Sequence, residues 1–290
     1  MTQSLGFKAT EREKTMRKSV ATLARSAAAL ALVAGLVAMS ACGSEPTKGG
    51  AGGSAGTSEK EAPPYAPEVA EENAANYSPQ IDPSNFVDKI ANRYMKFTPG
   101  TTFVYEGKTA DGPERVETYV SHKTREVLGV KCTVVRDKAF LNGKLSEDTF
   151  DWYAQDSEGN VWYFGEDTKE YENGKVVSTK GSWEAGVDGA KPGIVMEANP
   201  RVGDSYRQEY YEGEAEDMAE VLSLDASGLN DAVSVPYGSF GDVLMTKEWN
   251  PLEPGVLEYK YYAPGTGLIG EEQILGGTDT SELVDIRTGR

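Results

Sequence analysis

The stretch from Phe150 to Val177 restricts the fold more than any other part of the chain. Phe150 and Trp152 share one face of an extended segment, Asp156-Ser157-Glu158-Gly159-Asn160 reads as a turn, and Val161-Trp162-Tyr163-Phe164 returns. Lys169-Glu170-Tyr171 follows, and Asn173-Gly174 turns again before Val176-Val177. Successive side chains of a strand point to opposite faces, and Asn-Gly is a strong hairpin signal because both central residues of a type I′ turn need positive φ. Three strands joined by tight turns make an antiparallel meander. Trp162 and Phe164 must then face away from Val161 and Tyr163, so this strand carries large apolar groups on both sides. One side builds the core. The other is expected to be covered by another part of the chain or to face a ligand cavity.

The same period of two recurs on either side. After Phe86-Val87-Asp88-Lys89-Ile90, read as a short helix or irregular lead-in, residues 101–106 alternate, Asp111-Gly112-Pro113 turns, and Val116, Thr118 and Val120 share a face. Val130, Cys132 and Val134 repeat that spacing, which makes Cys132 a core side chain, and Asn142-Gly143 closes another hairpin. Residues 181–200 are Gly-rich and read as a loop pinned by Trp183; further strands are expected at 204–211, 233–237, 243–249 and 256–262. Val221-Leu222-Ser223-Leu224 reads as a strand, with a short helix as the alternative. Strands spaced by turns without helical crossovers give a mainly β domain, an antiparallel meander curled into a barrel or half-barrel, or folded into a sandwich. The expected domain spans residues 81–290.

Ahead of it lies an address. Arg17, Lys18 and Arg25 precede an apolar run from Ala27 to Met39 that ends in small residues, the three zones of a signal peptide. The run is too short for a membrane span, which needs roughly 20 apolar residues. Met16, followed directly by Arg17-Lys18, is a better start than Met1. Met39-Ser40-Ala41-Cys42 resembles the bacterial lipoprotein box, with Met39 at the aliphatic position. The resemblance implies cleavage between Ala41 and Cys42, diacylglycerol on the Cys42 thiol, and anchoring on the extracytoplasmic side of a membrane. Residues 42–80 then form a Gly-, Pro- and Glu-rich tether that cannot bury enough surface to fold. Its Gly52-x-Ser54-x-Gly56 match has no strand or helix to present the serine.

Without residues 1–41, which hold six Lys/Arg and two Asp/Glu, the net charge moves from −17 to −21. So acidic a surface argues against nucleic acid as a partner. With Cys42 acylated, Cys132 has no cysteine to pair with, so the domain must be held by its own core. No catalytic motif emerges, and no cofactor is implied: His122, the one histidine, has no recognisable partner, and one His with one free Cys cannot build a His/Cys metal centre. Asp156, Glu158 and Asn160 have calcium-loop spacing, but Val161 stands where the loop requires Gly. Glu212, Glu214, Glu216 and Asp217 read as a solvated acidic edge.

Val235-Pro236-Tyr237-Gly238-Ser239-Phe240 and Tyr262-Ala263-Pro264-Gly265-Thr266-Gly267-Leu268 resemble the closing strands of a group of uncharacterised secreted bacterial lipoproteins, and residues 99–105 are similar to that group's opening strand. The group has no catalytic residues to carry over. A looser likeness in strand order points to lipoprotein carriers whose half-barrels hold acyl chains. The expected function is therefore a non-enzymatic binding module in which Trp152, Trp162, Phe164 and Tyr261 line a face for a lipid, glycan or other apolar ligand. The alternative is an interaction lipoprotein with a filled interior that assists another envelope protein. A hydrolase using two carboxylates is the weaker third reading.

Overall fold

The computed structural model describes residues 76–228 and 232–289. The expected signal peptide, the expected cleavage site at Ala41-Cys42 and nearly all of the expected tether lie outside them. In chain order the strands are β1 (Phe86–Val87), β2 (Thr101–Thr109), β3 (Gly112–Val127), β4 (Val130–Leu141), β5 (Lys144–Asp156), β6 (Val161–Glu172), β7 (Lys175–Ser178), β8 (Trp183–Glu184) and β9 (Lys191–Met196). They continue as β10 (Ser205–Arg207), β11 (Glu209–Tyr210), β12 (Met218–Ser223), β13 (Val233–Val235), β14 (Gly238–Phe240), β15 (Leu244–Trp249), β16 (Leu257–Ala263), β17 (Gly267–Leu275) and β18 (Thr280–Thr288).

Antiparallel pairing runs in the order β10-β12-β15-β16-β17-β18-β2-β3-β4-β5-β6-β9-β11. The two ends of that path are neighbours in the chain, separated only by Gln208. Residues 205–207 pair with β12, residues 209 and 210 pair with β9, and the Gln208 N–H donates to the Asp217 carbonyl at 2.8 Å. One short segment thus borders both edges and brings the sheet round into a nearly closed barrel, which leaves few unpaired edge groups. β9 falls in the stretch expected to be a loop. Pro192 and Gly193 hide it from a propensity reading, and Gly193 is needed because a Cβ there would sit 2.4 Å from the Gln208 backbone.

The hairpins form where Asn-Gly demanded them: Asn142 and Gly143 have φ of 51° and 75°, Asn173 and Gly174 of 52° and 75°. The expected strand at 221–224 is β12. The lead-in read at residues 86–90 starts with β1 on the edge of β5 and holds no helix; a 3-10 turn, Pro83–Asn85, opened by the Asp82 carboxylate accepting the Ser84 N–H, precedes it. Residues 233–240 form a separate hairpin of β13 with β14. The packed chain also begins upstream of residue 81, since the Tyr77 hydroxyl donates to the Pro192 carbonyl at 2.7 Å.

Between β1 and β2 the chain makes a strap across the barrel end that carries the β5–β6 and β16–β17 turns. Ile90, Tyr94, Met95 and Phe97 are buried. Few main-chain bonds hold the strap: Ala91 N–H donates to the Gln155 side chain, Gly265 N–H to the Arg93 carbonyl, and the Asn92 amide to the Gly159 and Glu197 carbonyls.

Candidate functional site

Register sorts the side chains into two faces. Tyr153 opposes Tyr163, Asp151 opposes Glu166, Thr149 opposes Thr168, and these pair on through Asp137 to Thr118 and Phe103. Across the barrel Lys260 opposes Thr246 and Glu271, while Glu258 opposes Glu248 and Gln273. Tyr163 from β6, Glu209 from β11 and Lys260 from β16 border one cavity, so this face is the interior. The interior is therefore rich in carboxyl groups, with the Lys260 ammonium among them.

Glu166 reaches the interior through a bulge. Between Asp151 and Tyr153 lies one residue of β5, whereas Phe164 and Gly165 separate Tyr163 from Glu166 on β6. The extra residue turns Glu166 to the Tyr163 side. Gly165 has a φ of 130°, and a Cβ on it would lie 2.3 Å from the Trp183 carbonyl oxygen as β8 passes. Only glycine fits.

In this interior the Tyr163 hydroxyl lies 2.9 Å from Asp151 Oδ1 and 2.7 Å from Glu166 Oε2. Its ring stacks on Tyr153 at 5.0 Å and meets Trp183 edge-on at 5.3 Å. Trp183 Nε1 donates to Glu209 Oε2 at 2.9 Å. Lys260 Nζ contacts Glu248 Oε2 at 2.8 Å, and Glu248 Oε1 accepts the Thr246 and Tyr262 hydroxyls. Burial raises Asp151, Glu166, Glu209 and Glu271 well above the usual carboxylate range; the charge of Asp137 adds to it at Asp151, that of Asp151 at Glu166 and that of Asp217 at Glu209, while Lys260 opposes it at Glu271. Burial also pushes Asp137 and Asp217 up to about 7, and Glu258 up to about 8 against the pull of Lys260. Burial alone would lower the Lys260 ammonium, but the charges of Glu248, Glu271 and Glu258 and its bond to Glu248 hold it above its ordinary value.

Met95 and Tyr262 separate two small cavities. One is aromatic and aliphatic, lined by Phe97, Phe103, Tyr105 and Leu268; the other is polar, lined by Gln208, Glu209, Glu248 and Lys260. Each leaves about 10 Å³ for the centre of a water molecule, room for one water.

The four aromatic residues expected to line a ligand face do not converge on either cavity. Trp152, Trp162 and Phe164 lie on the outer side of β5 and β6. Phe86 packs edge-on against Trp162 and Phe164, at 6.3 and 5.5 Å, and Arg125 covers the Trp152 ring at 4.0 Å. Arg125 comes from the end of the β3–β4 hairpin, beyond a register shift at residues 120–124, and is tied to Glu184. Tyr261 faces outward on β16, across the barrel, and donates to Glu272 Oε1 at 2.6 Å. The covering that the sequence offered as one alternative is what meets the outer side of β6.

Cys132 is fully buried, and burial pushes its thiol up to about 12. His122 is exposed. The Asp156 carboxylate is occupied by the turn it organises: Oδ1 accepts the N–H groups of Glu158, Gly159 and Asn160, and Oδ2 those of the Asn160 amide and the Trp162 indole. Among the described residues, no group of three or more His, Cys, Asp or Glu side chains is arranged to hold a metal ion. Glu212 and Glu214 are exposed as expected of an acidic edge, but Asp217 turns into the interior. The signal for the inner charged groups was present in the sequence as charged residues inside strands, Asp151 between Phe150 and Trp152 and Lys260 between Tyr259 and Tyr261.

No family model and no curated protein matches the chain. Among solved structures it is similar to one described as "a putative lipoprotein from Parabacteroides distasonis", at 13% identity and a TM-score of 0.38, over 68% of this chain and 99% of that one. A likeness this distant establishes neither a common fold nor a common activity.

Proposed function

We propose that the chain is a lipid-anchored protein of the bacterial cell envelope, held through Cys42 on the extracytoplasmic side of a membrane, whose barrel is a non-enzymatic interaction module for another envelope protein. The observation that favours this over a carrier is how little room the interior leaves beside Met95. The two cavities beside Met95 have room for about one water each, whereas small-molecule sites occupy roughly 300–1,000 Å³. The aromatic residues that suggested a ligand face are engaged by Phe86, Arg125 and Glu272. A nearly closed barrel with so little room at these cavities offers its outer surface as the working part.

Native mass spectrometry of the full chain, purified gently from its host, tests the reading. The expected spectrum shows the chain with its covalent acyl groups and no other small molecule, and crosslinking before purification yields a defined protein adduct. A reproducible non-covalent mass of several hundred daltons that organic extraction removes would overturn it in favour of a carrier. Cys42→Ala is expected to move the protein from the membrane to the soluble fraction with its β circular dichroism intact.

A further inference from the structure

The hydrogen-bond count at Tyr163 does not close if every carboxyl is ionised. Its hydroxyl is within bonding distance of Asp151 Oδ1 and Glu166 Oε2 together, at 2.9 and 2.7 Å. A phenol has one proton to donate. It satisfies one carboxylate, and the second contact would set lone pair against lone pair in a site closed to bulk water. The contact becomes a hydrogen bond when one carboxyl is protonated and donates to the phenol oxygen. The remaining oxygens, Asp151 Oδ2 and Glu166 Oε1, are buried without a hydrogen-bond partner.

We propose that Asp151, Tyr163 and Glu166 form a buried proton-binding site, which holds one proton beyond the phenol's own at neutral pH and shares it between the two carboxyls through the Tyr163 hydroxyl. The chain of bonds runs from carboxyl O–H to phenol oxygen, and from phenol O–H to carboxylate. The proton comes from bulk water as the domain folds; an O–H bond forms on one carboxyl, and the pair keeps one negative charge instead of two.

The groups facing the pair reinforce this. Asp137 on β4, Glu147 and Tyr153 on β5 and Glu209 on β11 add negative or neutral groups around it. Lys260, which borders the same cavity as Tyr163, is engaged by Glu248. Burial raises both carboxyls in the same direction. A calcium ion in place of the proton would need six to eight oxygen ligands, and the described residues offer no such grouping.

Because the folded state binds a proton that the unfolded chain has released, the site's contribution to stability is complete below the ordinary carboxylate pKa. It is lost as pH rises towards the raised folded value, by tenfold in the folding constant per pH unit for one proton. Infrared difference spectroscopy of the full chain at neutral pH tests the assignment through the C=O stretch of protonated carboxyl groups. Asp151→Asn and Glu166→Gln each supply a neutral N–H donor in place of the protonated carboxyl and leave the partner ionised. Each is expected to remove one protonated carboxyl from the spectrum and one proton from the pH dependence of unfolding. The proposal is overturned if neither variant changes the band, or if elemental analysis finds a metal ion bound in unit ratio whose chelation destabilises the wild type. Should neither variant fold, assigned carboxyl carbon resonances of the labelled wild type decide the matter. A protonated Asp151 or Glu166 at pH 7 supports the site, and both ionised at pH 7 overturns it.

Discussion

Replacing Lys260 with Met keeps most of the stem and deletes the ammonium. What remains is a Glu248 carboxylate only 6% exposed, with the Thr246 and Tyr262 hydroxyls still donating to one oxygen but no countercharge on the other. Removing one partner of a buried pair costs about 3–5 kcal/mol, because the survivor's desolvation is no longer offset. For a domain of this size that is a fall in Tm of roughly 6–20 °C. The loss should depend on pH with a definite sign. Without Lys260 the folded-state pKa values of Glu271, Glu258 and Asp217, which Lys260 holds down, rise further above their unfolded values. The folded variant then binds protons that the unfolded chain does not, so its stability falls as pH increases. Urea unfolding at pH 8 and pH 5 should show the larger deficit at pH 8, where the carboxyls that Lys260 holds down, Glu258 and Asp217 among them, are driven towards ionisation without it. Adding Glu248→Gln, which retains an acceptor for both hydroxyls, should restore most of it. A deficit under about 1 kcal/mol at pH 8, or equal deficits at both pH values, would refute the interior ion pair as described.

Phe164→Ala should cost about 3–5 kcal/mol in urea unfolding, as the loss of a fully buried ring. Tyr261→Ala, which removes a half-buried outward ring, should cost much less, and equal costs would mean that the outer cover over β6 is absent in solution. The Cys132 thiol, buried and pushed up to about 12, should resist an aromatic disulfide reagent at pH 8 until the protein is unfolded; fast native labelling would contradict its packing. Gly165→Ala should destabilise by about 1–3 kcal/mol through its positive φ alone, with the contact against the Trp183 carbonyl added. A neutral effect would place the bulge elsewhere.

How much of this was legible in the sequence depends on what fixes each feature locally. The two Asn-Gly hairpins were readable because the turn geometry is written into two adjacent residues. The meander around Phe150 to Tyr171 was readable because large apolar groups alternate there. β9 was not, since Pro192 and Gly193 answer to the segment it packs against and not to strand propensity. Alternation placed Trp162 and Phe164 together correctly but could not say that Phe86 and the β3–β4 hairpin would cover them. The interior site was least legible. A strict period of two puts Glu166 on the face of Phe164, and only the extra residue at Gly165 turns it towards Tyr163. A bulge is a relation between two strands, so one strand's sequence does not show it.

The sheet's closure also orders events in time. β2 pairs along nearly its whole length with β18, from Thr101 against Thr288 to Lys108 against Thr280. The first long strand therefore has no partner on that side until the last strand of the domain has been made, and residues 205–210 cannot join both edges before β12 and β9 are in place. Such long-range pairing folds slowly, because loop closure must precede the contacts that reward it. A chain built this way stays open while it is being synthesised and commits to its barrel only when β18 arrives.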